Sequence, residues 1–399
     1  MSKSKDLAQH PTTILSDRQV YLDYAASTPV SDQVAAAMQP WLQRPGNPSS
    51  VHRYGKQARA AIDQARQRLA TALRCQTREL FFTSSGTVSN NLALLGSMRA
   101  IGHGHFITSA IEHASIVQSA RALAAQSSYQ QTVVSVQTNG IVSVDHVLQA
   151  LTPETRLVSI MLGNNEIGTW QPIQQIVQAV KQQVPGILVH TDACQALAWW
   201  PELDLSAIGA DMVSFSANKL YGPTGSGGLY VRPGVQLQPL WFGGGQEQAL
   251  HPGTESVATI VGLAAAVEES QQLQQTETQR LTLLRQFCIT RIEQLIPDTF
   301  FNGDRIHSMP HIVNLTIPGV DADILLAHLD QRGVALSLGS ACAAGSLQPS
   351  HVLEALGLSR QHARSSIRMS FGRSTTKADV EYAIQQLVAS VQILTNPVY

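Results

Sequence analysis

The chain is poor in charge, in cysteine and in aromatic side chains, and each shortage excludes something. Only 14% of its 399 residues are Asp, Glu, Lys or Arg, where a soluble globular protein carries roughly 25%. The 27 basic and 28 acidic residues are scattered, with no basic run, so a nucleic-acid backbone is not an expected partner. Four cysteines, Cys75, Cys194, Cys288 and Cys342, are too few for a disulfide framework in a chain of this length. None sits at CxxC spacing, which argues against a structural zinc site, and no metal is expected. No stretch of 18 apolar residues marks a membrane span. The opening MSKSKDLAQHPTTILSD has two lysines but no apolar core, unlike a secretory signal. A reducing cytoplasm is the expected compartment.

What is present is a large apolar share, 44% of residues, enough to fill a sizeable core and to divide into two domains. The period of the pattern changes repeatedly. Strand-like runs fall at residues 20–24, 79–83, 105–108, 132–136, 156–161, 187–191, 212–216 and 228–231. Helix-like runs lie between them: residues 55–73 carry Ala58, Ala61, Ile62, Ala65, Leu69 and Leu73 at spacings of three and four. Such alternation predicts a mostly parallel sheet covered on both faces. A long helical tract, about 256–295, leads into a second region. There 311–317, 334–336 and 366–370 read as strands, and 321–332, 349–356 and 377–393 as helices. Thr376 to Asp379 has the form of a capping box. The expected division is a large domain over 18–262 and a smaller one over 263–399, with residues 1–17 packing on the latter.

Lys219 is the residue that most needs a reason. It follows the apolar run Met212–Phe215 and precedes a turn holding Gly222, Pro223, Gly225, Gly227 and Gly228. A lysine beside a core strand needs an anionic or covalent partner, and an aldehyde cofactor such as pyridoxal phosphate supplies both. The alternative is a lysine snorkelling to solvent. Other polar groups also follow predicted strands, where open α/β sheets place ligands. Gly86 and Thr87, in Thr83-Ser84-Ser85-Gly86-Thr87, can cradle a phosphate at a helix start, or simply cap it. Asp192, in His190-Thr191-Asp192-Ala193-Cys194-Gln195, can hold a pyridine nitrogen protonated, or cap the next helix. His113 can stack on a flat ring or move a proton, or serve packing alone. Asn164 and Asn165 suit a polar site better than a core. Cys342 lies in a run of small residues, Ser340 to Gly345, that suits an accessible thiol, against the alternative of a buried inert one. Arg368 alternates with apolar residues on a predicted strand and suits a substrate carboxylate, or an internal salt bridge.

Together these stretches resemble the pyridoxal-phosphate cysteine desulfurases of the bacterial iron–sulfur assembly type, from about Tyr21 to Lys377. The matching segments are YLDYAASTPV, GNPSSVHRYG, ITSAIEHASI, VSIMLGNNEIGTWQPI, HTDACQ, SFSANKLYGPTGSGGLYVR, FGGGQE, GSACAAGSLQPSHVLEALGL and SSIRMSFGR. The resemblance implies the aspartate-aminotransferase type of α/β fold (fold type I), a homodimer, and pyridoxal 5'-phosphate as cofactor. It makes Lys219 the lysine that carries the cofactor, Asp192 the partner of its ring nitrogen, Gln195 a donor to its ring hydroxyl and His113 the imidazole stacked on it. Asn165 lies near the ring hydroxyl and the substrate. Gly86, Thr87, Ser216 and Asn218 fall at the phosphate, and Thr254 at the phosphate of the other subunit. Arg368 matches the arginine for the substrate carboxylate, and Cys342 the cysteine that becomes a persulfide for an acceptor protein or small thiol. Departures from the family pattern are Ser85 in the phosphate turn, Asn218 for a histidine, His251 for an arginine and Leu338 for a hydroxyl residue. A selenocysteine lyase, an aminotransferase or lyase of the same fold, and a catalytically silent scaffold are the alternative expectations.

Overall fold

The computed structural model describes residues 18–339 and 349–395. Cys342 and residues 1–17 lie outside the described residues. The short strand β1 (Val20–Tyr21) opens the described chain. The central sheet follows, built from β2 (Leu80–Thr83), β3 (Gly104–Ser109), β4 (Tyr129–Val134), β5 (Thr155–Ser159), β6 (Leu188–Asp192), β7 (Met212–Ser216) and β8 (Gly227–Val231). Their spatial order is β2-β8-β7-β6-β5-β3-β4. β8 runs antiparallel to both its neighbours and the remaining pairs are parallel. The middle strands are buried on both faces, with Leu157, Val158, Val189, Val213 and Phe215 at 0–1% exposure. This is why apolar residues stand at consecutive positions there, as at Leu157-Val158 and Met212-Val213, instead of strictly alternating.

β8 begins with two glycines because its neighbours come too close for a side chain. A Cβ at Gly228 would lie 2.2 Å from the Phe215 ring, and one at Gly227 would lie 2.7 Å from the Ser85 carbonyl carbon. β4 starts three residues earlier than the sequence pattern suggests. Its alternation continues past Val134, but Val136 bridges Val142 and leaves the ladder with β3.

The helix Arg53–Ala72 covers the sheet with Ala58, Ala61, Ile62, Ala65 and Leu69, the face set by their spacing. The helix Val257–Leu295 is 39 residues long, about 58 Å at 1.5 Å per residue. Its first half packs Ile260, Leu263, Ala264 and Val267 into the core of the central sheet. Its second half packs Leu281, Leu284, Cys288, Ile289 and Ile292 into a second core. Residue 262 lies inside this unbroken helix.

The second core forms around β9 (Phe300–Phe301), β10 (Ile312–Thr316), β11 (Val334–Ala335) and β12 (Ser366–Ser370). β9, β10 and β12 make an antiparallel sheet with β10 central, while β11 pairs with β1. Val20 and Leu22 are therefore buried with the C-terminal apolar residues. The expected strand over 20–24 shortens to two residues because the chain changes partner there. Leu22 N–H donates to Ala335 O at 2.9 Å, while Leu22 O accepts from Ser370 N–H at 2.7 Å. The capping box is present: Thr376 N–H donates to Asp379 at 3.0 Å and Asp379 N–H to Thr376 Oγ1 at 3.1 Å.

Candidate active site

A cavity of about 310 Å³ opens at the carboxyl ends of β5, β6 and β7, where their loops diverge. Strand geometry aims the key side chains into it. Asp192 ends β6, Ser216 ends β7, and a single helical turn after Ser216 carries Lys219 back over the opening. Gly86, Thr87, His113, Asn165, Asp192, Gln195, Ser216, Asn218, Lys219 and Arg368 line it together. Thr254 does not line it; that residue is exposed in the segment before the helix Val257–Leu295. Cys342 is not described.

Asp192 is buried, and both its oxygens accept hydrogen bonds. Oδ1 takes Cys194 N–H at 2.9 Å and Oδ2 takes Asn90 Nδ2 at 2.6 Å. Lys219 Nζ donates to the carbonyl of Ala26, on the loop after β1. His113 caps the helix Ala114–Ala124, its Nδ1 accepting Ser115 N–H at 3.1 Å with Ser115 Oγ at 2.8 Å. Ser85 caps the helix Gly86–Asn91 by accepting Val88 N–H. Asn218 Oδ1 accepts from Ser216 Oγ at 2.6 Å. A Cβ at Gly86 would lie 2.3 Å from Cys194 Sγ, so the turn is held against the loop after β6 only because residue 86 has no side chain.

Gln195 reaches His311 with an Nε2–Nε2 separation of 3.0 Å, and its buried Oε1 has no protein partner. Arg368 is the largest fully buried side chain among the described residues. It donates to Asp23 at 2.8 Å and to the carbonyl of Asn165 at 2.7 Å, and its Nε has no partner. This arginine therefore has the internal salt bridge and also lines the cavity.

Burial sets the remaining electrostatics. It pushes the Cys194 thiol up, with Asp192 adding to the shift and Lys219 opposing it. Cys75 and Cys288 are pushed up to about 12 by the same cause. Glu112, wholly enclosed beside His113, rises to about 8. Glu166 is raised too, by burial, while accepting a hydrogen bond from Ser350 Oγ at 2.5 Å. His311 is lowered to about 3 by burial and by Arg368 and Arg285. The sequence pattern did not single out Asn90, Ser115, Asp23 or His311. Asp23, Ser115 and His311 each stand beside apolar residues, while Asn90 sits between Ser89 and Asn91 and carries no such signal.

A family model described as aminotransferase class-V matches residues 20–383. "Cysteine desulfurase IscS" of Dictyoglomus turgidum is 40% identical over 380 residues, covering 94% of this chain and 95% of that protein. This chain belongs to the cysteine desulfurases. Human "Cysteine desulfurase" is 39% identical, over 94% of this chain and 82% of its own length. Among solved structures, a "NifS-like protein" superposes with a TM-score of 0.88 at 31% identity, covering 94% of this chain and all of that one. The fold is thus the fold type I architecture of the class-V aminotransferases, whose cysteine desulfurases depend on pyridoxal phosphate.

The residues present fit that cofactor. The cavity is of ligand size. Gly86 and Thr87, at the start of the helix Gly86–Asn91, line the cavity, and Gln195 Oε1 is a buried polar atom lacking a protein partner. Asp192 supplies a fixed acceptor and Lys219 an amine in the same cavity. Among the described residues, no helix is long and apolar enough to cross a membrane.

Proposed function

We propose that this chain converts L-cysteine to L-alanine with pyridoxal 5'-phosphate held in the 310 Å³ cavity, and carries the released sulfur as a persulfide on Cys342. The convergence of Lys219, Asp192, His113 and Arg368 on one cavity, in a chain 40% identical to a cysteine desulfurase, carries the reading. Gly86, Thr87, Ser216 and Asn218 would hold the phosphate end, Asp192 the ring nitrogen, Gln195 the ring hydroxyl and His113 the ring face. When bound, the cofactor supplies an electron-accepting ring that stabilises negative charge on the substrate Cα. Lys219 Nζ would both anchor the cofactor and move the Cα proton. Arg368 would fix the substrate carboxylate, with Asn165 beside it.

Cys342 as thiolate would attack the substrate sulfur. A sulfur–sulfur bond forms, the Cβ–sulfur bond breaks, and the electron pair left on the carbon side is protonated to give alanine. The persulfide then passes to an acceptor protein or small thiol, iron–sulfur cluster assembly being the use that the family suggests. A cytoplasmic homodimer completes the proposal, with exposed Thr254 serving the phosphate of the second subunit.

The test is to incubate the purified, cofactor-loaded protein with L-cysteine and measure alanine and persulfide together. Equal amounts of each, with the persulfide mapped to Cys342, are expected. Cys342→Ala should keep the cofactor absorbance and stop sulfide release; unchanged release in that variant would remove Cys342 from the reaction.

A further inference from the structure

The end of β6 and the start of the helix Ala114–Ala124 are joined at the cavity wall by a hydrogen-bond relay that local sequence does not suggest. Asn90 lies on the helix Gly86–Asn91 and is 1% exposed. Its Nδ2 makes two contacts, with Asp192 Oδ2 at 2.6 Å and with Ser115 Oγ at 2.9 Å. The direction of this amide is not a free choice. An amide oxygen turned toward the carboxylate would set two acceptors against each other, so the NH₂ group must face Asp192.

The same NH₂ group then supplies a proton to Ser115 Oγ. A hydroxyl has one proton to give, and among the described residues the contact of Ser115 Oγ that can take it is His113 Nδ1 at 2.8 Å, since Asn90 Nδ2 is itself a donor. That nitrogen also takes Ser115 N–H at 3.1 Å. Two donors on Nδ1 require a lone pair there, so the proton of the neutral ring sits on Nε2.

We propose that Asn90 and Ser115 are positioning residues that hold His113 in its Nε2-protonated form and tie that form to the carboxylate of Asp192. This rests on the reading that His113 works within the cavity, and it narrows what His113 does there. In the Nε2-protonated form the imidazole has a proton to give from Nε2 and no lone pair on that atom to receive one. Its remaining lone pair, on Nδ1, is taken up by Ser115. His113 therefore offers a hydrogen-bond donor at Nε2 and cannot take up a proton on that atom, so removal of the Cα proton falls to Lys219. The two groups flanking the cofactor position are set by one buried amide, so a change at Asn90 alters both.

The experiment uses cofactor-free protein labelled with ¹⁵N-histidine, so that its outcome does not depend on turnover. Long-range ¹H–¹⁵N correlation reads which nitrogen of His113 carries the proton. Wild-type protein is expected to show an unprotonated Nδ1 and a protonated Nε2. In Asn90→Ala the Ser115 hydroxyl can turn to accept, and the Nδ1-protonated fraction should rise about tenfold, the worth of one hydrogen bond. In a Ser115→Ala background the same Asn90→Ala change should move that fraction less than about twofold. A protonated Nδ1 in the wild type overturns the proposal, as does an equal response to Asn90→Ala in both backgrounds. If Asn90→Ala does not fold, the wild-type measurement still decides. Loss of alanine formation with this tautomer pattern intact would instead count against the proposed function alone.

Discussion

Arg368 offers a perturbation whose two consequences separate cleanly. Its side chain is 1% exposed and its partner Asp23 is 19% exposed. Replacing it by Gln strands Asp23 and frees the Asn165 carbonyl. Breaking a fully buried ion pair costs roughly 3–5 kcal/mol, and the partial exposure of Asp23 places this case at the low end, about 3 kcal/mol. That loss is expected whether or not the arginine also holds substrate. The second consequence is specific to substrate. A charge-assisted hydrogen bond to a carboxylate is worth roughly 1.5–3 kcal/mol, so its removal should raise KM for L-cysteine about ten- to a hundredfold.

The control is Asp23→Asn, which weakens the same ion pair while leaving the guanidinium in place. Both variants should unfold at lower denaturant than the wild type. Steady-state alanine formation should show the large KM rise for Arg368→Gln alone, with kcat changed much less. A folded, cofactor-loaded Arg368→Gln protein with KM within about threefold of the wild type would refute the substrate role. It would leave the arginine as a structural tie between β12 and the loop after β1.

Gly227→Ala forces a Cβ to within 2.7 Å of the Ser85 carbonyl carbon and 2.9 Å of Phe215 O. Backbone must shift, so a loss of about 1–3 kcal/mol and faster cofactor dissociation from the displaced Ser85-Gly86 turn are expected. Unchanged melting and cofactor retention would show that the turn is looser than the geometry implies. Glu112, pushed up to about 8 by burial, gives a pH signature. Its native value lies above the unfolded one, so as pH rises from about 4.5 the unfolded chain sheds its proton first and stability falls until about pH 8. Glu112→Gln keeps an acceptor for Ser109 and Met161 but removes this slope. The variant should gain on the wild type in melting temperature from pH 5 to pH 8, and the opposite trend would refute the assignment.

The strand and helix pattern was legible because burial on one face or two imposes a period on the sequence. Lys219, Asp192 and the Gly86 turn stood out as candidates because polar or backbone-exposing residues follow apolar strands there, but each also had a purely structural reading, and the family resemblance chose between them. The partners were not legible. Asp192 and Asn90 are 102 residues apart, and Arg368 and Asp23 are 345 apart. His311 and Gln195 meet across 116 residues of sequence. No local period records such pairings.

By itself the sequence determined which segments are strands and helices, which residues face the core, and which chemical groups stand at strand ends. Those follow from propensity and from the apolar pattern, both of which act over a few residues. Only the tertiary structure decided that β1 joins the C-terminal layer, that one 39-residue helix serves two cores, and that Asn90 binds Asp192 and Ser115 together. These depend on how the strands are ordered in space, and a polar side chain finds its partner only once that order has brought distant segments within hydrogen-bond reach.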